Sequence, residues 1–146
     1  MKLRKILNEI QLIEEGKRMH TNLSILKNPD WKKTIVWCKS KITGMKLFNE
    51  INYIGDCKAH NCDINVGRKS SKNKIPHIGF IITFADMYKS VWPSKHFFLV
   101  ENDIVIEHTE MDPIFNKPDV DVIYLGKPIP LEIIKMKDKG LAWKYE

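Results

Sequence analysis

The stretch YIGDCKAHN (53–61) puts a glycine, an aspartate and a cysteine side by side in a chain of 146 residues with three cysteines and five histidines. Gly55 breaks the chain, Asp56 is positioned to cap a helix, and Cys57 then falls in its first turn. Unpaired backbone N–H groups and the helix dipole favour a thiolate there. The same N–H groups suit an oxyanion developing on a substrate carbonyl. A thiolate nucleophile also needs a base in hydrogen-bond reach and a group to orient that base. The side-chain amides of Asn49 and Asn52, just upstream, are candidate extra donors to the oxyanion.

The bases on offer are His20, His60, His77, His96 and His108. His96 has the best context because it opens the run KHFFLVENDIVIEHT (95–109). Asn102 and Asp103 tolerate the positive φ angles of a two-residue hairpin turn. That turn pairs Glu101 with Ile104, Val100 with Val105 and Leu99 with Ile106. Glu107 then lies diagonal to His96 on the same face, within reach of a long side chain. A three-residue turn would instead put His108, Glu110 and Asp112 on the face of His96.

Read together, GDC opening a helix, a histidine at the start of a strand and an acid on the next antiparallel strand resemble the transglutaminase-like cysteine enzyme superfamily. The resemblance covers about residues 45–125. It implies a papain-like core and acyl transfer or hydrolysis at an amide, on a protein or peptide substrate, as protease, glutamine deamidase or transglutaminase. It implies Cys57 as nucleophile and His96 as base, with Glu107 the orienting acid by hairpin register and Asn52, just upstream, the candidate oxyanion donor. By the family's spacing and residue type, Asp112-Pro113 is the alternative acid, whereas strand register favours Glu107. No cofactor is implied. A metal is not expected either, since Cys57, His60 and Cys62 on one short helix cannot converge on a tetrahedral ion.

The elements that must carry these residues follow from periodicity. Leu3, Ile6, Leu7, Ile10 and Ile13 keep helical spacing up to Gly16. Asp30 stands as the cap of a second helix from Trp31 to about Ile42, with Cys38 on its apolar stripe. Met45–Tyr53 reads as a short helix or turn, and Cys57 to about Val66 as a third helix ended by Gly67. Beyond it, IPHIGFIITFADMY and the hairpin read as strands. DVDVIYLGKPIPLEII supplies one more or two, with Pro128 and Pro130 favouring an edge or a break. Helices first and an antiparallel meander after them predict one α+β domain over residues 1–146, its helices packed on the sheet.

Composition narrows the functional classes. The hydrophobic share of 43% is that of a globular chain, and no apolar run reaches the ~20 residues of a membrane span. The acids within the first 16 residues argue against a secretory signal. Unpaired cysteines suit a reducing, cytoplasmic setting. The net charge of +6 comes with lysine, asparagine and isoleucine enrichment, as in an A/T-rich genome of phage or mobile-element type. The densest basic stretch, GRKSSKNK (67–74), lacks the aromatics of a single-strand platform, so a nucleic-acid partner is not expected. The rival reading is a non-catalytic basic module that binds nucleic acid or an acidic protein.

Overall fold

The computed structural model describes residues 16–85, 89–111, 115, 117 and 120–133. The expected helix at residues 3–15 lies outside them. In chain order come β1 (Lys17–His20), a 3-10 turn (Leu23–Lys27), α1 (Pro29–Lys41), β2 (Lys46–Phe48), β3 (Glu50–Cys57), α2 (Cys62–Lys69), β4 (Ile75–Ala85), β5 (Ser90–Glu101), β6 (Ile104–Thr109) and β7 (Val122–Pro128). The fold is mixed α+β. None of the described helices is long and apolar enough to cross a membrane.

The seven strands form one sheet in the order β1-β3-β6-β5-β4-β7-β2. The meander expected from the sequence exists only as β4-β5-β6. β7 returns to pair with β4, and β3 lies parallel to β6 while the remaining ladders are antiparallel. The parallel pair is where the expectation fails. A strand before the helix can pair parallel to a later strand only through a long crossover, here α2, β4 and β5.

β2 and β3 are separated by Asn49 alone, yet they pair at opposite ends of the strand order. The sheet must therefore curl until its two ends meet. Phe48 from β2 and Ile51 from β3 accordingly share one interior cluster with Phe98, Val105 and Tyr124. The outer face of β4, β5 and β7 carries a second cluster, in which Phe80, Ile82, Leu99 and Leu125 pack under Trp31 and Cys38 of α1 and Val66 of α2.

Helix α1 runs as expected, but its cap is Asn28, whose Oδ1 accepts from the Asp30 N–H at 2.8 Å. Pro29 occupies the first turn, where its missing N–H costs nothing. Cys38 is fully buried, and burial pushes its thiol up to about 11, which leaves it inert. Met45–Tyr53 is neither helix nor turn. In EINYIGDC the residues alternate, with Ile51 and Tyr53 packed on the interior cluster, and this two-residue period is that of a strand.

The hairpin forms in the expected register. Asn102 and Asp103 have φ of 51° and 63°, and Glu101, Val100 and Leu99 face Ile104, Val105 and Ile106.

Candidate active site

GDC does not open a helix. Gly55, at φ 62°, sits where the β3–β6 register shifts between Tyr53 and Cys57, so the motif is a bulge at the end of a strand. A Cβ at Gly55 would fall 2.6 Å from the Tyr53 ring. The chain then turns through His60, at φ 66°, and Asn61 before α2 begins at Cys62. The helix expected over 57–66 is thus displaced to 62–69. A signal for this was present: Asp63 in the first turn and Arg68 and Lys69 in the last match the helix dipole over that span. Gly67 lies within the helix rather than ending it.

The shift changes which thiol meets the histidine. The Cys62 thiol and the His96 imidazole influence each other electrostatically, the thiol lowered and the imidazole raised by the other's presence. His96 Nε2 lies 2.5 Å from Glu107 Oε1, and the Tyr124 hydroxyl donates to the same carboxylate oxygen at 2.7 Å. Because Nε2 is taken by Glu107, Nδ1 is the ring nitrogen open to the thiol. Imidazole, carboxylate and phenol therefore form one hydrogen-bonded chain across β5, β6 and β7, with the Cys62 thiol of α2 in electrostatic interaction with its His96 end.

The chain is held from several sides. Residues 96, 98 and 100 of β5 alternate onto the interior face with Val105 and Glu107 of β6, and the His96 ring stacks near-parallel to Phe98. Helix α2 is tied down by Asn65, whose Nδ2 donates to Thr109 Oγ1 at 3.0 Å and to the Lys58 carbonyl at 2.9 Å. The cap residue Asn61 makes no side-chain hydrogen bond to the first turn. No side-chain cap therefore occupies the amides beside Cys62.

Burial makes these charges unusual. Glu107 is 1% and His96 6% exposed. Burying an ion pair among apolar side chains gains little stability over an apolar substitute, so packing alone does not account for the pair. Burial lowers the His96 pKa, but the Glu107 carboxylate and, after it, the Cys62 thiol outweigh it and raise the value to about 10. Burial raises the Cys62 thiol, but the hydrogen bond and charge of His96 and the Phe97 N–H outweigh it, leaving the thiol below its ordinary value. Tyr124 is pushed well up by burial and by Glu107, so it stays a donor.

Cys57 shows the reverse. Its Sγ lies 3.6 Å from Asp56 Oδ1, and burial together with the Asp56 charge raises its thiol. Among the described residues no hydrogen bond joins Cys57 to His96. Asn52 sits within β3 between Arg18 and Ile106. Its Oδ1 is buried and unpaired close to Gly16, with no bond to Cys62 or His96. Asn49 is likewise committed elsewhere, donating from Nδ2 to the Thr21 carbonyl at 3.0 Å. Asp112 lies outside the described residues. An open groove of about 700 Å³ lies at the hairpin end of the sheet, lined by Lys46, Phe48, His77 and Asn102, and it includes none of the Cys62 chain.

No family model, no curated protein and no solved structure matches this chain.

Proposed function

We propose that the protein is a cysteine-nucleophile enzyme of transglutaminase-like type, acting by acyl transfer or hydrolysis at an amide of a protein or peptide, with Cys62 in the role first expected of Cys57. The observation that carries this reading is the buried hydrogen-bonded chain His96–Glu107–Tyr124, with the Cys62 thiol at the start of α2 lowered by His96. The order of a helix-opening cysteine, a strand histidine and an acid on the next strand is kept; only the cysteine changes.

In this mechanism the Cys62 thiolate attacks the amide carbonyl carbon, and the electron pair of the C=O bond moves to oxygen. First-turn amides of α2 are placed for that oxyanion. His96, protonated beside the thiolate, gives its proton to the leaving nitrogen as the C–N bond breaks and a thioester remains. It then takes a proton from the attacking water or amine, and the thiol is released. Glu107 fixes the imidazole and stabilises its charge, with Tyr124 holding the carboxylate in turn. Water as acceptor gives proteolysis or deamidation, and an amine gives transamidation.

Thiol alkylation followed by peptide mapping across pH 5–9 tests the assignment. Cys62 should react first and well below the ordinary thiol pKa of ~8.5. Glu107→Gln should weaken this low-pH reactivity, and Cys62→Ser should abolish it. Preferential labelling of Cys57 at pH 6 would overturn the assignment.

A further inference from the structure

Glu107 and His108 are neighbours on β6, so their side chains leave the strand on opposite faces. Glu107 meets His96. His108 instead meets the end of β3, where its Nδ1 lies 2.8 Å from Asp56 Oδ1, with Cys57 Sγ 3.6 Å from that same oxygen. One donor atom from each of Asp56, Cys57 and His108 falls within 4.8 Å of the others, and this is the one such group of three among the described residues.

An ordinary core histidine satisfies both ring nitrogens. His108 does not: its side chain is 8% exposed, its Nδ1 faces Asp56, and its Nε2, on the other side of the ring, is buried with no hydrogen-bond partner, so Nδ1 is the nitrogen this group presents. Asp56 is its one hydrogen-bond partner among the described residues. Cys57 and Asp56 are equally uncommitted to the chemistry of Cys62. We propose that Asp56, Cys57 and His108 form a binding site for a zinc-like divalent cation, with a fourth position open to water on the exposed side of Asp56.

The geometry and the donor chemistry agree with this ion class. Metal–ligand bonds of ~2.0–2.3 Å in a tetrahedron set donor atoms about 3.3–3.8 Å apart. The Cys57–Asp56 separation of 3.6 Å already lies in that range. The His108–Asp56 contact of 2.8 Å has to open by about an ångström or less, and the Cys57–His108 separation is already no more than 4.8 Å. One sulfur, one imidazole nitrogen and one carboxylate oxygen suit zinc or cobalt, whereas magnesium and calcium require oxygen ligands throughout. Two ligands adjoin the bulge of β3, and the third lies on β6, paired parallel to it, so the backbone ladder sets their spacing. Lys69 Nζ, 3.3 Å from Asp56 Oδ2, leaves Oδ1 for the ion. This donor set differs from Cys57, His60 and Cys62, which lie on β3, a turn and α2 and whose donor atoms do not gather within 4.8 Å of one another.

Titration of the whole protein with Co²⁺ tests the site. The expected result is one equivalent bound, with a thiolate-to-cobalt charge-transfer band and the intense visible bands of a tetrahedral ion. Cys57→Ser should remove the charge-transfer band, and His108→Gln should weaken binding at least tenfold. Cys62→Ser should keep the spectrum, which separates this site from the proposed nucleophile. A charge-transfer band that persists in Cys57→Ser, a band that disappears in Cys62→Ser, or no stoichiometric binding by the parent would each overturn the proposal. Circular dichroism of each variant confirms that it is folded.

Discussion

At Cys62 and His96 the folded state shifts two pKa values in opposite directions, and the consequence can be measured without a substrate. His96 is raised from an ordinary ~6.5 to about 10. A raised base contributes stability that is complete below its unfolded pKa and is lost as pH climbs through its folded one. Cys62 is lowered, so its contribution is present above the unfolded value and is lost as pH falls through the folded one. The two trends oppose each other in alkaline solution. Denaturant unfolding of the parent should therefore change little between pH 7 and 9, whereas Cys62→Ser should lose stability over that range. Equal slopes for the two proteins would mean that the thiol and the imidazole do not share a charge. The sequence revealed half of this group. His96 and Glu107 followed from hairpin register, because a two-residue turn fixes which side chains face each other. The cysteine did not, because GDC reads equally well as a capped helix start and as a strand ending in a bulge. Only the tertiary pairing with β6 separates the two.

Among the elements, the long apolar strands were legible, since β-branched and aromatic runs of that length have few other solutions. β3 was not. Its glutamate, asparagine, glycine and aspartate weaken any strand signal, and its partner β6 lies some fifty residues further on. What makes the central ladders close is visible at Gly79, which pairs with His96 on one side and Gly126 on the other. A Cβ at Gly79 would fall 1.7 Å from the Leu125 carbonyl oxygen, a backbone atom that cannot step aside. Gly79→Ala should therefore cost about 3 kcal/mol or more through overpacking. At Gly44, φ is 79° and nothing lies within 4 Å of the added carbon, so alanine there should cost only the ~1–2 kcal/mol of a left-handed backbone. Urea midpoints of the two variants check the order. The opposite order would show that β4 and β7 can separate at that point without loss.

Across the molecule, the feature least visible in the sequence is the division at Asn49, which sends β2 and β3 to opposite ends of one curled sheet. Thr21 donates its N–H to the Asn49 carbonyl at 3.0 Å and accepts the Asn49 side chain in return, so the junction is pinned rather than slack. Both end strands are short, with β1 spanning four residues and β2 three, which limits edge-to-edge association with other copies. The same division sets a timetable for a newly made chain. β2 leaves the ribosome early, but the strand it pairs with, β7, is the last of the seven to be made. β3 likewise waits for β6. Until β7 has emerged and entered between β4 and β2, β2 has no strand to pair with, although β3 can already join β1 and β6. Chains stalled on the ribosome before β7 is exposed should be cut readily by protease near Asn49, and chains stalled well beyond it should resist. Protection that already appears with β6 alone would mean that β3 docks before the sheet closes.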